Sequence, residues 1–381
     1  MTGEHGGFFR KSAQQIIKYS ALTTHCITVI YCTHDIVAYS CPRRNARSLC
    51  FRLRISRLTM ARIPRQASPI KLPRWTLVVL LVLPLIVWYI RVSVHYLRGP
   101  KTIYIVAQSG PGRLGNQLFQ YASVLGIFED RQRHNPYQDD VTFCIDQDHP
   151  FTALEQIFKG PFPACPTTMP PFKHLSERGY GIYTQFDETQ YCASASCAFT
   201  FGTYLQSYKY LQLAGKSIRS ALTLSSNEIT QQARDTVYRV RTNPTTAVVG
   251  IHVRRSDVLQ VDYLQEASVE YLQKAIHHYE AEFGYNVRFL VTSDDIEWCR
   301  SQEIFSKAIL VDSQNPILDF AILSHCDHYI LTVGTFGWWG AWLGMAENVV
   351  YNQDAIVLDH ATNRGKVRLE DYYPSVWTGM S

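Results

Sequence analysis

Two guanidiniums stand side by side at Arg254 and Arg255, with His252 two positions ahead of the first and Asp257 two positions after the second. Arginine presents a planar fork that clamps phosphate oxygens two at a time. A departing nucleoside diphosphate needs its growing negative charge neutralised, by such a fork or by a metal ion. No clear D-x-D introduces a metal-held sugar-nucleotide site and no CxxC pair occurs, so arginine is the better candidate and no metal is expected. His252 and Asp257 would hold the guanidiniums or their loop in place. The same four residues read equally as a structural ion-pair cluster, which is common at strand ends. Asp294 and Asp295 close a second apolar run. A carboxylate accepts the N1–H and N2–H of guanine together, a pair that adenine and uracil do not offer. The competing role is a helix cap with a favourable acid in the first turn.

Two further strings border on chemistry. GPGRLGNQ (110–117) is a glycine-rich turn where Gly112, Gly115 and Asn116 would let backbone approach a ligand, or would simply turn the chain. GTFGWWGAWL (334–343) holds three tryptophans at packing spacing, and only Thr335, at its polar start, is a candidate phosphate ligand. Asp262, just beyond the arginine pair, is the candidate general base, with Glu266 behind it.

These residues need a parallel α/β framework. TIYIVAQ reads as a strand and LFQYASVLGIFED as a helix, with the glycine-rich turn between them. Residues 130–215 show less pattern and read as loops and short helices. From about 245 a second series begins: strand AVVGIHVRR, an amphipathic helix ending at Gly284, strand VRFLVTSDD, and further alternation through HYILTVG. Ligands bind beyond the carboxyl ends of such strands, and every string named above sits at one.

The charge of +5 is unevenly placed: ten basic residues fall between Arg43 and Arg74, and before residue 75 the only acids are Glu4 and Asp35. Nothing after them resembles a nucleic-acid fold, so no nucleic-acid partner is expected. The uncharged run Trp75 to Ile90, extended by snorkelling of Arg91 to Leu97, reaches the roughly 20 residues that cross a bilayer. Basic flanks stay cytosolic. The expected organisation is a basic cytosolic tail over 1–74 (1–59 an optional extension, with Met60 a possible start), a signal-anchor over 75–97, and a stem over 98–102. A first catalytic lobe on the acceptor side over 103–240 and a nucleotide-binding lobe over 241–381 follow. Six cysteines beyond the anchor, on the side where disulfides persist, leave their pairing open.

HVRRSD (252–257), SDD with WC (293–299) and TFGWWGAWL (335–343) resemble the three motifs of α-1,2-fucosyltransferases, and RLGNQLFQYA (113–122) and TYLQSYKYL (203–211) resemble two further blocks, all in family order. The resemblance implies a GT-B fold of two Rossmann-like lobes, GDP-fucose as co-substrate without any cofactor, a galactose-terminated glycan as acceptor, inversion to an α linkage, and a type II protein of the Golgi membrane. By motif position, Arg254 matches the arginine on the β-phosphate, with Arg255, His252 and Asp257 supporting it. Asp294 or Asp295 matches the guanine-reading position. The alternatives are transfer to a core N-glycan or a protein hydroxyl, and a noncatalytic glycan-binding protein on the same anchor.

Overall fold

A strand that is apolar at every position belongs where both faces are covered. Ala247–Val253 is such a strand, with all of its residues buried. In the computed structural model, which describes residues 26–32, 35–41, 82–83, 85–89, 101–135, 139–187, 192, 195–346 and 348–381, it lies inside a six-stranded sheet. Numbered in chain order, the strands of the chain are β1 (Cys26–Cys32), β2 (Asp35–Cys41), β3 (Thr102–Ala107), β4 (Asp140–Ile145), β5 (Phe172–Leu175), β6 (Cys197–Phe201), β7 (Ala247–Val253), β8 (Val287–Ser293), β9 (Ile309–Leu310), β10 (His328–Leu331), β11 (Asn348–Asn352) and β12 (Thr378–Met380).

The six-stranded sheet runs β12-β11-β10-β7-β8-β9 and the four-stranded sheet β4-β3-β6-β5, with every pairing in both parallel. From β7 the chain winds outward through β8 and β9, then returns to the other side of β7 with β10. That reversal leaves a crevice beyond the carboxyl ends of β7 and β10. The four-stranded sheet repeats the device: β3 leads outward to β4, and β6 returns against β3's other edge. Two parallel α/β sheets, each with its own reversal point, give the GT-B-like arrangement.

Helices flank the sheets where the sequence carries helical periodicity and caps. Ser226, Ser268, Asp295 and Asn315 each accept a backbone N–H at the start of the helices Asn227–Val240, Val269–Phe283, Ile296–Ser301 and Pro316–Leu323. The tryptophan string forms the helix Thr335–Leu343. Trp338 and Trp339 are buried against Phe119 of the helix Leu114–Arg133, with ring centroids 4.6 and 5.0 Å apart. One hydrophobic core therefore holds residues of both sheets' layers, joined by aromatic packing rather than by a linker.

Cys144–Cys165 and Cys192–Cys197 are disulfides, while Cys299 and Cys326 are buried thiols. Of residues 1–59, which as sequence lack steady periodicity, two segments form a hairpin: β1 and β2 pair antiparallel from Cys26↔Cys41 to Cys32↔Asp35. Most of the expected membrane span over 75–97 lies outside the described residues. Residues 82–83 and 85–89 are helical with exposed side chains, and among the described residues no helix is long and apolar enough to cross a membrane.

Candidate active site

Both reversal points open into one cleft of about 970 Å³. The four-stranded sheet contributes the turn after β3 (Gly112 to Asn116) and the turn after β6 (Thr203, Tyr204, Gln206). The six-stranded sheet contributes His252 and Arg254 at the end of β7, Thr292 to Asp294 at the end of β8, and Val333 to Phe336 after β10. Tyr263, Asn363, Lys366 and Tyr372 close one side.

Arg254 is pinned at the crevice. Its backbone N–H donates to Thr332 Oγ1 at 3.0 Å, across from β7 to β10. Its Nε and Nη2 donate to the two oxygens of Asp257 at 2.9 and 2.8 Å. Burial works against the charge of Arg254, but the bidentate bond to Asp257 outweighs it and raises its pKa above the ordinary value. The same bond holds the Asp257 carboxyl below its usual range. Arg113, from the opposing turn, also donates to Asp257. One carboxylate thus aims two guanidiniums, one from each lobe. Gly334, at φ +96°, leaves room for this: a Cβ there would stand 2.5 Å from Arg254 Nη1.

Two of the helices that begin at the cleft are not capped by a side chain. Leu114–Arg133 starts after Arg113 and Thr335–Leu343 after Gly334, with no acid in either first turn. Unpaired N–H groups and the positive end of a helix favour an anion. The two starts also touch each other. Asn116 Oδ1 accepts from Thr335 Oγ1 at 3.1 Å and from Gln206 Nε2 at 3.0 Å. Gly115 lies so close that a Cβ would come within 2.4 Å of Thr335 Oγ1.

Beside Arg254, His252 is buried with its Nδ1 unpartnered and stacks on Phe336 at 5.3 Å. Burial lowers its pKa to about 4, so the imidazole is neutral. The result is a crevice that combines arginine, amide dipoles and a neutral imidazole, a chemistry that suits an anion.

The family profile for glycosyl transferase family 11 matches residues 79–381. The chain belongs to glycosyl transferase family 11. It is a glycosyltransferase, and it is similar to galactoside alpha-(1,2)-fucosyltransferase 1 of Alouatta belzebul, at 30% identity over 66% of this chain and 68% of that protein. The protein of the same name from Ateles belzebuth is 31% identical over the same shares. Among solved structures, POFUT1 in complex with GDP superposes with a TM-score of 0.40 at 14% identity, covering 66% of this chain and 98% of that one.

In this family 11 chain, several residues singled out by sequence stand apart from the cleft wall. Arg255 turns away from it: its guanidinium pairs with Asp295 at 3.0 Å and Glu266 at 3.1 Å and lies over the Trp298 ring. Asp295 also caps the helix Ile296–Ser301. Asp294 faces the cleft, but its oxygens accept from the N–H groups of Arg255 and Ser256 and from the Ser256 hydroxyl. These carboxylates organise the arginine loop. Asp262 is 84% exposed and faces His360 Nε2 at 3.3 Å, one residue before the lining Tyr263.

Two acids in the wall escape a reading by motif. Asp319 sits in the helix Pro316–Leu323, where ILD looks like ordinary helical filling. It is held by Ser313 Oγ at 2.6 Å, and burial raises its pKa. Glu177, in a stretch without periodicity, accepts from the amides of Thr203, Tyr204 and Leu205 at 2.7 to 2.9 Å. It shapes the turn after β6.

Proposed function

We propose that the chain transfers L-fucose from GDP-β-L-fucose to the 2-hydroxyl of a galactose, with inversion and without a metal ion. The observation that carries this reading is the Arg254–Asp257–Arg113 cluster beside two uncapped helix starts. It fits the leaving diphosphate of a sugar nucleotide. The names of the relatives support fucose and the 2-position.

In a single displacement the acceptor oxygen bonds to the anomeric carbon as the carbon–phosphate-oxygen bond breaks. Arg254 meets the charge that grows on the β-phosphate, and the N–H groups that begin the helix Thr335–Leu343 share it. Asp257 keeps the fork aligned. The acceptor hydroxyl loses its proton as the bond forms. Glu177 and Asp294 are spent on backbone amides, which leaves Asp262, at the cleft margin, as the candidate base. For guanine, Asp319 is the better reader than Asp294 or Asp295. It lines the cleft with Ile317 and Phe336 as apolar walls for a base, and among the described residues only Ser313 hydrogen-bonds its carboxyl.

The same reading places the domain on a type II anchor in the Golgi membrane, with residues beyond 97 in the lumen. An uncharged run behind ten basic residues supports it, as do the exposed apolar side chains of 82–83 and 85–89. The test of function is linkage analysis of the product formed from GDP-fucose and a set of galactosides. An α-1,2-linked fucose is expected. Fucose at another position, or transfer to a peptide hydroxyl alone, would refute the assignment.

A further inference from the structure

The cleft carries positive charge beyond what a diphosphate requires. Residues 179–181 run beside 366–368: Gly181 N–H donates to the Lys366 carbonyl at 3.0 Å, and Arg368 N–H donates to the Gly181 carbonyl at 3.1 Å. Gly179 presses so closely on this segment that a Cβ would stand 2.4 Å from Lys366 Cα. The pairing sets Arg178 and Lys366 on the cleft wall, both exposed. Arg364 and Arg368 follow from the same loop, also exposed. The stretch NRGKVR (363–368) thus holds three cations and no acid.

Two carboxylates on the adjoining segments are occupied elsewhere: Glu177 is taken by three amides, and Asp371 by Lys209 and the Tyr183 N–H. Among the described residues, no ion pair engages Arg178, Lys366 or Arg368, while the Arg364 guanidinium donates to the Asp359 carbonyl at 2.8 Å. These cations arise on the loops after β5 and β11, whereas Arg254 arises after β7. Next to them stand Tyr180, whose hydroxyl donates to Asn363 at 2.7 Å, and Tyr204, whose ring meets it edge-on at 6.1 Å. Fixed aromatic surface beside unpaired cations suits a sugar ring that bears an anion.

We infer that the acceptor is an anionic galactoside, a glycan carrying a sulfate or a carboxylate close to the galactose that receives fucose. This rests on the reading of the cleft as a fucosyl-transfer site.

The experiment uses the full-length chain, GDP-fucose and three matched acceptors: a neutral galactoside, its sulfated form, and a form bearing a carboxylate sugar. At least one charged acceptor should show a KM about tenfold lower than the neutral one, the gain of one charge-assisted contact, and added salt should erode that gain. Whether sulfate or carboxylate benefits identifies the anion. The double substitution Arg178→Gln with Lys366→Gln should collapse the charged-to-neutral ratio through acceptor KM. A native circular dichroism spectrum and an unchanged melting temperature report that the variant is folded. Equal KM values for all three acceptors would overturn the inference and leave the proposed function standing. A raised donor KM with the ratio intact would overturn it too, by assigning these cations to the diphosphate. If GDP-fucose binds but no galactoside is fucosylated, the functional reading fails and this inference with it.

Discussion

Arg254 makes both of its side-chain bonds to a single partner, Asp257, so the fork is already aimed before any ligand arrives. Replacing it with Ala should lower kcat/KM by about 100-fold or more, the scale of a lost charge-stabilising donor. Arg254→Lys should do little better, because an ammonium cannot span both oxygens of Asp257 and also reach a phosphate. Steady-state kinetics on variants with native circular dichroism decide this, and a folded, active Arg254→Ala protein would refute the role. At the base end, Asp319→Asn should raise donor KM about tenfold, since an amide turns one acceptor into a donor facing guanine's own N–H groups. Asp294→Asn should instead lower thermal stability, because its oxygens hold the Arg255–Ser256 loop. Equal donor KM values in wild type and Asp319→Asn would remove the guanine assignment. His252 gives a pH signature. Its value of about 4 lies below the ordinary 6.5, so between those pH values the unfolded chain binds a proton that the folded chain does not. Stability from this site is complete above pH 6.5 and falls as pH drops toward 4. Asp257, held low, extends the loss further into acid. Urea midpoints at pH 7 and pH 4.5 should separate in the wild type and converge in His252→Asn; an unchanged gap would show that another group titrates.

At the scale of elements, the site depends on two helix starts brought into direct contact. Gly115 and Thr335 meet with no space for a methyl group, and overpacking of this kind costs about 1–3 kcal/mol. Gly115→Ala should therefore lower the melting temperature and reduce activity together, since the turn and the opposing helix start must move apart. Gly215→Ala is the control. Gly215 begins the helix Gly215–Ala221, and nothing lies within 4 Å of where its methyl group would stand, so the change should be neutral or slightly stabilising. Calorimetry on the two variants checks both; a Gly115→Ala protein as stable as the wild type would mean that the contact is not tight in solution. The tryptophans matter at this scale as well. Trp338 and Trp339 pack on Phe119 from the other lobe, so a string that reads as core in sequence is the seam that sets the width of the cleft.

Across the whole molecule, the proposed chemistry is built from arginine, amide dipoles and burial, with both sheets supplying strand-end turns to one cleft. Activity should accordingly survive excess EDTA, and complete loss that Mn²⁺ restores would overturn the arginine mechanism. Membrane topology is a matter of the same scale. A tag at the carboxyl terminus should be protected from protease in sealed microsomes and become accessible on addition of detergent. Digestion without detergent would reverse the proposed orientation.

The alternation of strands and helices from residue 245 on, and the places where polar strings end apolar runs, were legible because period and breaker residues act locally. The strands β4, β5 and β6 fall within 130–215, which as sequence reads as loops and short helices, because such short strands are fixed by their pairing in the β4-β3-β6-β5 sheet rather than by a local pattern. The strand β7 and the helix after the glycine-rich turn fall where AVVGIHV and LFQYA suggest. The aim of each side chain was not legible. Arg254 and Arg255 are neighbours, yet consecutive residues leaving a strand point apart, and one faces the cleft while the other packs on Trp298. Nor could spacing show that Asp294 and Asp295 would be consumed by the arginine loop while Asp319, some 25 positions later, would reach the wall. Residues 177, 263 and 366 carry no motif and enter the cleft because long connections return there. Their roles come from contacts distant in sequence, which follow from the strand order β12-β11-β10-β7-β8-β9 and from the packing of one lobe on the other.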